Sequence, residues 1–240
     1  MPPRGRTVSG PLALVGGAEL QPGNEPIDRG LVAAARAHGG PAFVLATAAA
    51  RHRPDLAVRN AVAWFGALGL GVEELVVRSR EEARSAAIAE RASGGSCFYL
   101  VGGDPDLVLD VLRGSPVWEA IVAAWHGGAA LAGSSAGAMA MASYVLLPGD
   151  RGRAAVAGLG LVPRVAVIPH RDTFGASWEG NGIAGLPDDV VLLGIGERTA
   201  VVFADGAWRV AGAGAVEILD GTGRARRHEA GGLVDLPVPV

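Results

Sequence analysis

The chain has 240 residues, half of them hydrophobic, and a formal net charge of −3 at neutral pH. That length and apolar content suit one large domain with a sizeable core, and the scattered basic residues exclude a dense cationic surface for nucleic acid. All 21 basic residues are arginine, which rules out a Walker-type phosphate loop, a Schiff-base lysine and a lysine general base.

In chain order, residues 1–10 read as a short flexible segment ahead of a core spanning about 11–220. The apolar run that follows breaks too soon at Gly16-Gly17 for a signal peptide or a membrane span, so a cytoplasmic protein without membrane contact is expected. Pro11 to Val15 reads as a strand and Ile27 to His38 as a helix. Pro41 to Ala46 is the next strand and Asp55 to Leu68 the next helix. Glu74 to Val77 and Cys97 to Val101 are short strand-like runs on either side of the Arg/Glu/Ala-rich segment Arg80 to Ala92. Asp104 to Leu112 and Pro116 to Trp125 read as two more helices. These strands are apolar throughout, the mark of burial on both faces. The alternation predicts an α/β fold with a doubly wound, mostly parallel sheet. After about residue 145 the pattern changes. Arg164 to Pro169, Val190 to Gly194, Thr199 to Ala204 and Trp208 to Val210 are short strands that read as antiparallel additions to the same single domain.

The most informative stretch is Gly133-Ser134-Ser135-Ala136-Gly137-Ala138. It follows the apolar run Ala129–Ala132 and precedes the helix formers Ala138–Ala142. A strand, a sharp Gly-x-Ser-x-Gly turn and a helix put one serine hydroxyl on an exposed corner, with the helix's free N–H groups aimed at the same place. A serine nucleophile needs a base, and an acid to orient that base. His38 and His126 each precede a Gly-Gly pair at a helix end and are expected to cap it. His52 and His228 lie in charged loops. His170 ends the strand Val165–Ile168 at the rim where ligands of parallel sheets gather, and is the expected base. Three carboxylates compete for the acid: Asp150, in the loop between elbow and histidine; Asp172, two residues past the histidine; and Glu197, in Gly194-Ile195-Gly196-Glu197-Arg198-Thr199. Spacing alone does not rank them. The backbone N–H groups of Ala136 and Gly103 are the expected oxyanion donors. Cys97, the sole cysteine, lies in a buried strand and reads as an inert thiol. No metal-ligand spacing and no dinucleotide fingerprint is present, so no metal and no cofactor is expected.

With these residues identified, the chain resembles the peptidase E and cyanophycinase family of serine peptidases, a branch of the class I glutamine amidotransferase-like, flavodoxin-like fold. The likeness runs from about Leu12 to about Leu219. It rests on Leu100-Val101-Gly102-Gly103-Asp104, on the elbow, on Gly158-Leu159-Gly160-Leu161 leading to His170, and on Gly194-Ile195-Gly196-Glu197-Arg198-Thr199-Ala200. The resemblance implies a serine hydrolase that cleaves a peptide or amide bond through an acyl-enzyme on Ser135, with His170 as base. Its acid would be Asp150, or Asp172 as in amidotransferase-like relatives, and Glu197 would be structural. It also implies a small peptide or amide substrate, and a homodimer is a compatible assembly. Serine at the elbow argues against glutamine amidotransfer, which uses cysteine there. Pro105 stands where the family often has a polar side chain, and Arg171-Asp172-Thr173-Phe174 replaces residues that select substrate. The resemblance therefore carries the activity class further than the specificity. A non-catalytic domain that binds a small ligand or a partner protein in the same crevice is the alternative reading.

Overall fold

A computed structural model describes residues 9–147, 155–173, 185–219 and 225–240. Apolar residues that alternate between two buried faces build the central sheet. Its parallel strands are β1 (Leu12–Val15), β2 (Ala42–Leu45), β3 (Val72–Glu74), β4 (Cys97–Leu100) and β5 (Ala130–Ser134). Leu12, Leu14, Phe43, Leu45, Phe98, Leu100 and Leu131 point into one core. Ala13, Val15, Ala42, Val44, Cys97, Tyr99, Ala130 and Ala132 point into the other. This two-sided burial is why the strands read as continuous apolar runs.

Helices α1 (Glu25–His38) and α2 (Pro54–Ala67) contribute Ile27, Leu31, Ala61 and Phe65 to the second core. The opposite face is covered by α3 (Arg80–Ala83), α4 (Ala86–Ser93), α5 (Pro105–Leu112), α6 (Pro116–His126) and α7 (Ala136–Met141). Serine and aspartate start several of them. Ser115 Oγ accepts from Trp118 N at the head of α6, and Asp104 Oδ1 accepts from Asp106 N and Leu107 N at the head of α5. The expected run Glu74 to Val77 is displaced, since the strand is Val72–Glu74 and Val77 lies beyond it. The expected helix through Ala142 stops at Met141, and Ala142 turns extended to begin another strand.

The later strands extend this sheet and build a second one. β10 (Thr199–Ala204) runs antiparallel to β1, then β11 (Ala207–Gly212) and β14 (Leu233–Val234) follow, giving the order β14-β11-β10-β1-β5-β4-β2-β3. The second sheet comprises β6 (Ala142–Val145), β7 (Val156–Ala157), β8 (Val162–Ile168), β9 (Val191–Ile195), β12 (Ala215–Leu219) and β13 (Ala225–Glu229), in the order β13-β12-β9-β8-β6-β7. β6, β8 and β9 pair parallel, and the outer strands antiparallel. The α/β expectation thus holds, but the expected antiparallel additions divide: β10 and β11 join the central sheet antiparallel, whereas β8 and β9 pair parallel within a second sheet. No described helix is long and apolar enough to cross a membrane.

Cys97 is buried, and burial pushes its thiol up to about 12, as an inert core thiol requires. Asp28 is the unusual core member. It is 1% exposed, and its Oδ2 accepts from Trp64 Nε1 at 2.7 Å. Burial raises its carboxyl to about 7, against the opposing effect of the Trp64 bond. A carboxyl raised in the folded state holds its proton where the unfolded chain has lost it. Its contribution to stability is therefore full below about pH 4, falls as pH rises toward 7 and is flat above. Asp28→Asn keeps an acceptor for Trp64 and removes the titration. Thermal melts across pH 4–8 are expected to show a flatter profile for the variant and, at pH 8, a gain of about 1–3 kcal/mol over wild type. Parallel profiles would refute this account.

Candidate active site

The elbow is built by missing side chains. A Cβ on Gly133 would lie 2.6 Å from the Gly137 carbonyl carbon, and one on Gly137 would lie 2.6 Å from Leu100 O. β5 and α7 therefore meet at backbone distance. The turn that joins them holds Ser135 at φ 48° and ψ −110°, a region that side-chain-bearing residues rarely enter. Ser135 N donates to Val15 O, which ties the turn to the end of β1.

His170 stands opposite. Its Nε2 is 3.1 Å from Ser135 Oγ and its Nδ1 is 2.9 Å from Glu197 Oε1. Because a carboxylate only accepts, Nδ1 carries the proton and Nε2 is left to accept from the serine hydroxyl. The histidine and glutamate side chains are 18% and 24% exposed, so the relay is shielded yet reachable. His170 sits at φ 51°, with its N–H donating to Gly16 O. Its ring lies where a side chain on Gly17 would otherwise be, since a Cβ there would come within 2.2 Å of Cε1.

Register explains why Glu197 arrives at this point. β8 and β9 are parallel with Ile168 opposite Gly194, so His170 and Glu197 leave neighbouring strand ends on the same edge. β9 then crosses to β10, which pairs with β1, and Arg198 N donates to Gly17 O across the junction.

Of the three carboxylates weighed for the acid, Asp172 and Glu197 lie among the described residues. Asp172 does not reach His170. The chain turns at His170 rather than continuing extended, with Thr173 N donating back to His170 O. Asp172 Oδ1 instead accepts from the backbone N–H of Glu197 at 2.8 Å. Asp150 lies outside the described residues. The carboxylate that meets Nδ1 is that of Glu197, the residue expected to be structural.

The expected oxyanion donors belong to the strand ends beside the elbow. Gly102 adjoins the nucleophile, since a Cβ on it would meet Ser135 Cβ at 3.3 Å. Gly103, at φ 147°, packs against Ala48 O. Neither Gly103 N–H nor Ala136 N–H has an acceptor among the described residues. Sequence reasoning missed Glu19, whose carboxylate accepts from Gly102 N and from Ser134 Oγ, both at 2.9 Å. The remaining histidines stay apart from the site. His38 Nδ1 lies 2.9 Å from Gly39 O, and His126 packs on Trp125. No group of three or more metal-ligating side chains is found among the described residues.

A doubly wound sheet with a serine elbow, a histidine and a carboxylate in one relay defines a hydrolase of the serine type. The sequence profile of peptidase family S51 matches residues 12–210, and the chain belongs to that family. It is similar to the cyanophycinases of Trichormus variabilis and of a Nostoc species, 31% identical over 231 residues that cover 91% of this chain and 76% of each relative. Among solved structures, a peptidase from an acI-B1 Actinobacterium superposes with a TM-score of 0.84 at 29% identity, covering 96% of this chain and 98% of that one. A putative peptidase E protein from Listeria monocytogenes shares the fold, with a TM-score of 0.62 at 16% identity over 85% of this chain and 99% of its own. The protein is a peptidase of the serine type.

Gly17→Ala tests the packing of the His170 ring. The new methyl group meets the His170 ring and takes a strained φ, so the ring must leave Ser135. Labelling by a fluorophosphonate probe is expected to slow by about 10²-fold, with a melting transition that remains cooperative. Labelling at the wild-type rate would show that this packing is not needed.

Proposed function

We propose that Ser135, His170 and Glu197 form the catalytic relay of a peptidase that cleaves a peptide or amide bond through an acyl-enzyme. The observation that carries this is the unbroken chain from Ser135 Oγ through His170 to Glu197 Oε1. His170 Nε2 takes the hydroxyl proton as Oγ attacks the scissile carbonyl carbon, and the carbonyl electrons move onto its oxygen. The N–H groups of Ala136 and Gly103 receive that oxyanion. The imidazolium, held by the Glu197 carboxylate, then protonates the leaving amine as the C–N bond breaks and leaves an ester on Ser135. Water, deprotonated by the same Nε2, attacks the ester carbon, and as the C–O bond breaks the imidazolium returns that proton to Ser135 Oγ, releasing the acid. Asp172 acts one step removed, by fixing the backbone of Glu197. Nothing in the relay is missing that would favour a purely binding role for the crevice.

A fluorophosphonate is expected to add once to the wild-type protein and not to Ser135→Ala. Glu197→Gln is expected to slow labelling by about 10³–10⁴-fold, because the amide no longer fixes the productive tautomer. Asp172→Asn keeps its acceptor oxygen, and Glu197 already meets His170 Nδ1, so Asp172→Asn and Asp150→Asn should both stay within about tenfold of wild type. A larger loss in either than in Glu197→Gln would reassign the acid. Absence of any adduct on folded wild-type protein would reject the hydrolase mechanism.

A further inference from the structure

Glu19 lies in the loop after β1 and belongs to no step of the mechanism above. Loop geometry directs it inward. Ala18 and Leu20 both take positive φ, 51° and 57°. Asn24 Nδ2 donates to Ala18 O at 2.7 Å and to Gln21 O at 3.1 Å, and Gln21 Nε2 donates to Ala18 O at 3.0 Å. The carboxylate so delivered accepts from two parts of the site at once: Gly102 N–H at the end of β4, and the hydroxyl of Ser134, the elbow residue beside the nucleophile. Its Oε1 lies 3.1 Å from the position of a Gly102 Cβ, a point itself 3.3 Å from Ser135 Cβ. Glu19 forms no ion pair among the described residues.

The consequence falls on the intervening peptide. Gly102 N–H is held by Glu19 on one side, and Asp104 N–H is held by Ala48 O at 2.9 Å on the other. Between them only the Gly103 N–H is left without an acceptor among the described residues, at a φ of 147° that leaves it no steric support of its own. A flexible Gly-Gly pair would not hold a donor on a line unless both neighbours were fixed. Ser134 ties the same carboxylate to the elbow, so the distance between Gly103 N–H and Ser135 is set through one side chain.

We propose that Glu19 is a positioning residue of the peptidase: it clamps the end of β4 to the elbow and thereby aims the Gly103 N–H at the oxyanion that forms on Ser135. This rests on the proposed role of Ser135. The clamp needs two polar contacts in fixed places, not a charge. Glutamine meets that need, since its carbonyl oxygen accepts from Gly102 N–H and its NH₂ donates to Ser134 Oγ, which can accept as readily as it donates.

The test uses the intact chain and a fluorophosphonate probe, whose P=O oxygen enters the oxyanion position on reaction. Saturation kinetics separate the binding constant of the probe from the rate constant of phosphonylation. Glu19→Ala is expected to lower the rate constant by about 10–10²-fold with little change in the binding constant. Glu19→Gln should stay within about threefold of wild type. Ser134→Ala, which cuts the elbow half of the clamp together with the Ser134 contact to the Tyr99 hydroxyl, should fall between them and covers the case in which Glu19→Ala does not fold. A wild-type rate constant in Glu19→Ala or, should that variant not fold, in Ser134→Ala overturns the proposal, as does a loss in Glu19→Gln equal to that in Glu19→Ala. An unlabelled wild-type protein would reject the assignment of Ser135, a different failure from either of these.

Discussion

The site depends on the absence of room between β5 and α7. With Gly137 pressed against Leu100 O and Gly133 against Gly137, the strand and the helix are closer than any pair of side chains allows. A chain that must reverse in that space has few backbone paths, and the one taken sets Ser135 at positive φ. The strain is stored where the core over-determines the turn: Met139 and Met141 on α7 are buried against the same sheet. That turn stands at the carboxyl edge of the sheet, the side on which β1, β4 and β5 all end.

Everything else at the site arrives through a second constraint, the crossing of the two sheets. Serine comes from the central sheet and histidine from the end of β8 in the second. Glu197 lies on the short connection by which the chain passes from β9 in one sheet to β10 in the other. The loop after β1 meets all three. Gly16 O accepts from His170 N, Gly17 O accepts from Arg198 N beside the acid, and Glu19 accepts from the serine next to the nucleophile. Three positive-φ residues, Ser135, His170 and Arg198, mark the places where the chain bends to reach that meeting point. Alignment of the relay is thereby a property of sheet register and one loop, not of side-chain rotamers alone.

This division explains what could be read from the sequence. The elbow was legible because its signal is local: two glycines, a serine and the switch from an apolar run to helix formers lie within a dozen residues. His170 was legible for the same reason, as the end of an apolar strand. The acid was not. The family resemblance pointed to Asp150 or Asp172, whereas Glu197 is brought to His170 by the parallel pairing of Ile168 with Gly194, a long-range register that no local pattern encodes. The second sheet was hidden similarly. Its strands look like the outer strands of the first, and only the pairing of β8 with β6 and β9 separates them. Ala142 shows the limit of propensity, since a run of helix formers yields to the sheet contact that begins β6.

The positions where this chain departs from the family pattern gain a physical account from the same geometry. Pro105 takes the first position of α5, where its fixed φ suits a helix start already capped by Asp104, and it sends no polar group toward the nucleophile. Arg171 follows the base directly, yet its Nε donates to Glu217 Oε2 at 2.7 Å and its stem packs over Gly194 within the second sheet. Asp172, the next residue, holds the backbone of Glu197. Arg171 is thus tied into the second sheet and Asp172 to the backbone of Glu197, so the activating geometry can persist in this fold while the residues after the histidine change.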